Sequence, residues 1–398
     1  MTTIGAVNPV VAALGRPLRL GVIGGGPGSF IGAIHRSAAE LDGRFRVVAG
    51  VLSSDPSKCV AYGAAIGLAA GRAYPDVVSM LATEATRPDG IDAVAVMTPN
   101  DRHFDDCRQA LEAGLHVICD KPLSNSVDEA RALVRLVDAS GAVFCLTHNY
   151  SGYPMVRQAR AMVKAGVIGA IRMVHAEYFQ GGMASPVEHG ALTPKLKWKL
   201  DPNRGGPSLV LGDIGTHAHH LACFVAGSPV TALGADMGAL VPGRAFDDYA
   251  AMLWRFGDGA RGTCCVSQAA AGSENNITLR VYGESGMLEW QHTAPNYLRH
   301  APLAEPVRTL ARGDPYLLPE ALRASRISRG HPEGFRESFA NIYADAAEAM
   351  LARMTGRAAD PLALDFPTVH DGLRGVLFVD AAVQSSRELR RWRNCEIA

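Results

Sequence analysis

From residue 18 onward the chain alternates short apolar runs with longer amphipathic stretches. Residues 18–24, 45–53, 92–99, 116–122 and 142–149 are rich in β-branched and other apolar residues. The run 92–99 (DAVAVMTP) is almost wholly apolar, as a strand buried on both faces must be. Between these runs, residues 30–41, 56–68, 101–114 and 127–140 carry helical periodicity. The third of these helices opens on Asp101 and closes at Gly114. Strands alternating with helices of ten or more residues predict a parallel, doubly wound sheet over residues 17–150. The rhythm then changes. A helix (155–165), a strand (171–179), a Gly/Pro-rich stretch (181–207) and a helix near 214–226 precede several strand-like segments joined by turns such as GDG (257–259) and GESG (283–286). Tight turns between successive strands predict antiparallel pairing. Residues 300–330 read as a surface excursion, and two amphipathic helices (333–353 and about 367–392) end the chain. The fold class expected is therefore α/β. An N-terminal Rossmann-type sheet is followed, over 151–398, by an α+β domain with a large open, mainly antiparallel sheet, and the C-terminal helix packs back on the first domain.

Composition narrows the class of ligand. Among 398 residues, 39 Lys+Arg balance 39 Asp+Glu, so the formal net charge is zero. Nucleic-acid binders and polybasic membrane-surface proteins need a basic excess, so neither partner is expected. Hydrophobic residues are 48% and charged residues 20%, enough for a large core and too few charges for disorder. The eight cysteines form no C-x-x-C pair and read as small buried thiols of a reducing compartment. No apolar run approaches the roughly 18 residues of a membrane span. The first 20 residues lack a basic segment ahead of their apolar part and read as a lead-in arm. A cytoplasmic protein is expected.

The first strand runs into GVIGGGPGSFIGAIHR (21–36). Glycines let a backbone turn sharply and approach a pyrophosphate, and the helix behind offers free N–H groups and a positive dipole end. Gly24, Gly26, Ser29, Phe30 and Ile31 are the candidate contacts. Five residues (PGSFI) separate Gly26 from Gly32, where the usual pattern has two, so the loop is expanded. A purely structural turn is the competing reading. At the end of the second strand an acid would hold the ribose 2′-OH of NAD. Here Ser53, Ser54 and Lys58 could accept the 2′-phosphate of NADP, whereas Asp55 could serve the ribose. The cofactor expected is NAD or NADP.

Two further elements carry chemistry. CDKPL (119–123) places Lys121 at the carboxyl end of a central parallel strand, where such folds bind ligands, and Pro122 restricts the chain after it. In LVLGDIGTHAHHL (209–221), Asp213 and His217 are four apart and share a helix face, with His220 close to it. A carboxylate beside an imidazole fixes its tautomer and favours proton acceptance. Asp213, His217 and His220 could also form a two-histidine, one-carboxylate metal site. No further ligand motif accompanies them, so no metal is expected.

Taken in order, these motifs resemble the glucose–fructose oxidoreductase / inositol dehydrogenase / rhizopine catabolism (Gfo/Idh/MocA) family. The resemblance runs from about residue 18 to the last helix. It rests on G-x-x-H (Gly32, His35), Thr98-Pro99-Asn100 with His103, Asp120-Lys121-Pro122, Trp198-Lys199 followed by Gly205-Gly206, and Asp213-x-Gly215-x-His217. Asp120 stands where Glu is commoner in the family. The resemblance implies that Thr98, Pro99, Asn100 and His103 line the cofactor crevice and that Asp120 faces the nicotinamide ribose. It also implies that Lys121 bonds the reacting hydroxyl, that His217 is the general base, and that Asp213 binds a substrate hydroxyl or orients the histidine. The family's substrates are mostly sugars, sugar derivatives and cyclitols. Tyr150 and Tyr153 after the last Rossmann strand, and Trp198, Lys199 and Arg204 on the excursion before the Asp/His helix, offer rings and donors suited to a polyhydroxylated ring, together with His217. The loop 330–334 could bring His331 towards them. The function expected is NAD(P)-dependent oxidation of a secondary hydroxyl of a sugar or cyclitol. Glycoside cleavage by transient oxidation and a non-catalytic dinucleotide sensor are the alternatives. An open sheet covered by a partner subunit implies a homodimer or homotetramer.

Overall fold

The computed structural model describes residues 7–388 and 392–396. Five strands form the first sheet: β1 (Leu18–Gly24), β2 (Phe45–Val51), β3 (Ala93–Met97), β4 (His116–Cys119) and β5 (Phe144–Leu146). All pair in parallel, in the order β2-β1-β3-β4-β5. Every residue of β3 is buried, which is what its continuous apolar run requires. The helices on the two faces start where the sequence supplies caps. Ser29, Asp55, Asp76 and Ser126 each accept a backbone N–H of the first turn that follows. Strand order reverses between β1 and β3, so the crevice of this sheet opens at their carboxyl ends.

The second sheet has nine strands: β6 (Ile171–Phe179), β7 (Val230–Gly238), β8 (Tyr249–Phe256), β9 (Arg261–Ser267), β10 (Asn276–Gly283), β11 (Gly286–Gln291), β12 (Tyr297–Pro302), β13 (Arg308–Ala311) and β14 (Arg393–Asn394). Their order is β13-β12-β11-β10-β6-β9-β8-β7-β14. Only β6 and β9 run parallel, and the other pairs are antiparallel. Part of the segment expected as a surface excursion is therefore structural: β12 and β13 extend the sheet. Leu317, Ala321 and Ala324 then sink into the interior. The segment hides this role because its many prolines and arginines mask two short strands, with Leu298 as an inward-facing apolar residue.

Two late helices tie the sheets together. Helix Val369–Arg387 lies between helix Val127–Ser140 of the first sheet and β7 of the second. Helix Phe335–Thr355 packs on helix Phe30–Leu41 and puts Phe339, Ile342, Tyr343 and Met350 into the same apolar cluster as Leu20, Phe45 and Ala95. Both late helices therefore touch helices of the first sheet.

Candidate active site

At the first turn, Gly24, Gly25 and Gly28 have φ of 85°, 68° and 75°, a region that L side chains avoid. Gly26 is excluded from substitution by space: a Cβ there would lie 1.8 Å from the Leu52 carbonyl oxygen. Ser29 caps helix Phe30–Leu41 and accepts the Gly32 N–H at 3.1 Å. The amides of Phe30 and Ile31 then head the helix without a partner inside it. This turn fits a dinucleotide pyrophosphate: small residues allow close approach, and the helix end supplies donors and a positive dipole. The Phe30 ring stands exposed beside Phe335. His35 lies beneath, its Nδ1 2.8 Å from the Tyr343 hydroxyl and its Nε2 3.9 Å from Asp120 Oδ1.

At the end of β2, Asp55 is engaged in local structure. Its carboxylate accepts the Ser57 and Lys58 N–H groups and lies 3.4 Å from Lys58 Nζ. Ser53 Oγ accepts the Asp55 N–H, and Ser54 is exposed nearby. At the end of β3, the Thr98 hydroxyl donates to Asp106. Pro99 opens the turn at Asn100–Arg102, and Asn100 Nδ2 donates to the Gly205 carbonyl. His103 was expected to line the crevice, but it is buried with its ring nitrogens 2.7 Å and 2.9 Å from the carbonyl oxygens of Pro122 and Thr98. It supports the crevice by joining the β3 and β4 loops. Asp120 Oδ1 accepts the Lys121 N–H and the Thr147 hydroxyl, both at 3.0 Å. Burial would raise the Asp120 carboxyl, but His35, Lys121 and His103 outweigh it and hold the group well below the ordinary range.

Across the crevice, residues Leu211–Gly215 form a widened π-type turn that leads into helix Thr216–Ala226. Asp213 thus sits on the turn and His217 on the regular helix. Lys121 Nζ donates to the Asp213 carbonyl at 2.5 Å and lies 3.4 Å from its Oδ1. Lys199 Nζ is 2.5 Å from the same Oδ1, and Gln268 Nε2 donates to Oδ2 at 2.8 Å. Burial lowers the Lys121 ammonium below the ordinary lysine range, and Asp213 acts against that. His217 is 9% exposed, with its ring edge-on to Tyr150 and His148 at centroid distances of 5.0 Å and 5.6 Å. Burial, reinforced by the Lys121 charge, keeps this imidazole far below the usual histidine range, so it is neutral at pH 7. His220 faces elsewhere. It stacks on His148 at 4.3 Å and lines a separate cleft of about 280 Å³ with Arg160, Asp371 and Arg374. Among the described residues, no group of three His, Cys, Asp or Glu side chains is arranged to hold a metal ion.

The other expected substrate contacts divide. Lys199 reaches the cluster, and Trp198 precedes it on the same short helix (Pro194–Lys199). Tyr150 is buried against His217, and its hydroxyl is 2.7 Å from that of Tyr178. Tyr153 packs on Trp290 with its hydroxyl 3.0 Å from His292 Nε2, so it belongs to the wall behind the cluster. Arg204 pairs with Asp101, Nε to Oδ2 at 3.0 Å. His331 is exposed, and its carbonyl accepts from Arg312. Gln268, Gln180 and Tyr178 were not foreseen. Gln180 and Gln268 follow the paired ends Phe179 and Ser267 of β6 and β9, and their amides meet at 3.3 Å. The only signal available was a pair of polar residues just past two strand ends, and that gains meaning only once the strands pair.

A Rossmann crevice with a glycine turn on one side, facing a lysine, carboxylate and imidazole cluster at a second sheet, defines a nicotinamide-dinucleotide oxidoreductase. The chain belongs to the Gfo/Idh/MocA family: residues 18–148 match its oxidoreductase domain with NAD-binding Rossmann fold, and residues 156–289 match the GFO/IDH/MocA C-terminal domain. Oxidoreductase YfiI of Bacillus subtilis is 35% identical over 382 residues, 95% of this chain and 97% of that one. The crystal structure of an inositol dehydrogenase homolog complexed with NADH and myo-inositol, from Azotobacter vinelandii, is 40% identical with a TM-score of 0.87, covering 95% and 98% of the two chains. Levoglucosan dehydrogenase of Pseudarthrobacter phenanthrenivorans is 29% identical over 236 residues, 54% of this chain and 58% of that one. The protein is an NAD(P)-dependent dehydrogenase of this family. No described helix is long and apolar enough to cross a membrane.

Proposed function

We propose that the enzyme oxidises a secondary hydroxyl of a neutral polyol, a sugar or cyclitol, with His217 as general base and Lys121 as the electrostatic partner of the oxygen. The observation that carries this reading is the meeting of Lys121 with Asp213 in front of the buried His217. A bound nicotinamide dinucleotide supplies the hydride acceptor. His217, neutral at pH 7, takes the hydroxyl proton. The Lys121 ammonium stabilises the charge that develops on the alkoxide oxygen. Asp213, braced by Lys199 and Gln268, keeps Lys121 in place. Gln180, Gln268, Tyr178 and Lys199 supply hydrogen-bonding groups of the kind a ring of hydroxyls uses. The myo-inositol and levoglucosan in the names of two relatives support the same substrate class.

Residues 17–150 serve the dinucleotide in this reading, and 151–398 the substrate and partner subunits. The exposed Met173, Leu253 and Tyr297 on the second sheet support a homodimer or homotetramer, which light scattering of the purified protein tests. The test of function is a panel of sugars and inositols offered with NAD⁺ and with NADP⁺, scored by reduced-cofactor formation. Oxidation of at least one neutral polyol is expected, with turnover lost in His217→Ala. Full turnover in that variant would remove His217 from the role of base.

A further inference from the structure

The cluster depends on Lys199, and Lys199 sits on a segment that the second sheet alone does not hold. We propose that Asp101 and Arg204 are positioning residues: their ion pair latches residues 194–206 to the loop after β3 and thereby keeps Lys199 on Asp213. This inference rests on the reading of Asp213 and Lys121 as catalytic machinery. The contacts form an unbroken chain. Arg204 Nε is 3.0 Å from Asp101 Oδ2, joining helix Pro202–Gly205 to the turn Asn100–Arg102. Two side-chain amides of the first sheet's loops hold the neighbouring backbone: Asn125 Nδ2 donates to the Arg204 carbonyl at 2.8 Å, and Asn100 Nδ2 to the Gly205 carbonyl at 3.3 Å. Gly205 then packs directly on Lys199, since a Cβ at Gly205 would lie 2.3 Å from the Lys199 carbonyl oxygen. Gly206, at φ 97°, turns the chain away, and a Cβ there would meet Asn125 Oδ1 at 2.9 Å. Anchoring Arg204 and Gly205 therefore anchors the Lys199 backbone, and Lys199 Nζ reaches Asp213 Oδ1 at 2.5 Å.

The two amides hold main-chain carbonyls and are indifferent to the residue at 204. The ion pair is the side-chain contribution, and it engages an arginine expected at the substrate. Asp101 follows directly on Thr98-Pro99-Asn100, so the segment carrying Lys199 is fastened to a loop of the cofactor crevice. The latch thus joins the half of the site that holds the dinucleotide to the half that holds the polyol.

The test compares Asp101→Asn, Arg204→Gln and the charge-exchanged double variant Asp101→Arg/Arg204→Asp in the full-length enzyme. Hydrogen exchange of residues 194–206 needs no substrate. It should quicken by about three- to tenfold in each single variant, the loss of one partly exposed charge-assisted pair, and recover in the double variant. With the faster oxidised of myo-inositol and levoglucosan as probe, KM should rise by a similar factor in the single variants, with a smaller change in kcat and unchanged cofactor binding. Unaltered exchange at 194–206 in both single variants overturns the latch, as does failure of the double variant to recover. If the wild-type enzyme oxidises neither polyol, the functional reading is in question, and the exchange measurement still decides the latch.

Discussion

Lys121 and Asp213 are 92 residues apart in sequence, yet Lys121 Nζ lies 2.5 Å from the Asp213 carbonyl oxygen and 3.4 Å from its carboxylate. One residue lies two positions past the end of β4 in the first sheet, and the other sits on the turn before a helix packed on the second. The contact spans the crevice, so the ammonium is aimed by both halves of the molecule. Lys121→Ala removes the charge that the proposed mechanism sets against the reacting oxygen, but leaves the glycine turn intact. We expect turnover to fall by about 10²–10⁴-fold, with cofactor affinity retained within a few-fold. Steady-state rates and cofactor titration by fluorescence check both halves of this expectation.

The histidine group predicts a pH response of stability. Burial keeps His148 and His217 well below 6.5, His220 at about 4 and His219 at about 3. In the unfolded chain each returns to an ordinary value near 6.5. Between these values the unfolded state binds more protons, so unfolding free energy rises with pH. The stability these groups contribute is complete above pH 6.5 and is lost as pH falls through 6.5 towards 4. Urea midpoints should drop between about pH 7 and pH 5, and His220→Gln should flatten the drop. An unchanged midpoint would mean that these imidazoles take up protons in the fold as readily as in the unfolded chain, near pH 6.5.

Two glycines of the cofactor turn separate space from backbone conformation. A side chain at Gly26 collides with the Leu52 carbonyl, whereas Gly28, at φ 75°, has open space around it. Gly26→Ala should therefore displace the end of β2 and abolish cofactor binding. Gly28→Ala should cost only left-handed backbone strain, about 1–2 kcal/mol, and leave measurable binding. Isothermal titration with NAD⁺, alongside thermal melts, distinguishes them.

What the residues revealed on their own, and what they concealed, follows a physical line. β3 and β4 were legible because strands buried on both faces must be apolar throughout. Lys121, and Asp213 with His217, stood out because each belongs to a compact motif at the edge of a predicted element, but the widened turn that sets Asp213 apart from the regular helix of His217 did not. Gln180 and Gln268 were not, because they become neighbours only through the parallel pairing of β6 with β9. Arg204 was misplaced for a related reason. A basic residue near a site reads as a ligand donor until its partner, Asp101, is seen to lie on the other sheet's loop. The helix Phe335–Thr355, expected to be amphipathic, is buried without a break from Ser338 to Glu348, because it lies between other elements on every side, and nothing in its sequence pattern says which of two sheets it covers.

The same helix supports the last prediction. Asp345, wholly buried, receives Arg157 Nη2 at 2.6 Å and also pairs with Arg323. Arg157 belongs to helix Pro154–Lys164, which directly follows the first sheet, and its side chain is 3% exposed. Removing one partner of such a pair leaves a charge stranded away from water, which costs far more than the pair gains. Asp345→Ala should destabilise the protein by about 3–5 kcal/mol. The exposed pair Arg308–Glu305 is a matched control, because solvent screens it and either partner can rehydrate. Urea unfolding should show a large loss for Asp345→Ala and almost none for Glu305→Ala. Equal effects would mean that water reaches Arg157 when its carboxylate is gone, and that the junction between the two sheets is looser than its packing implies.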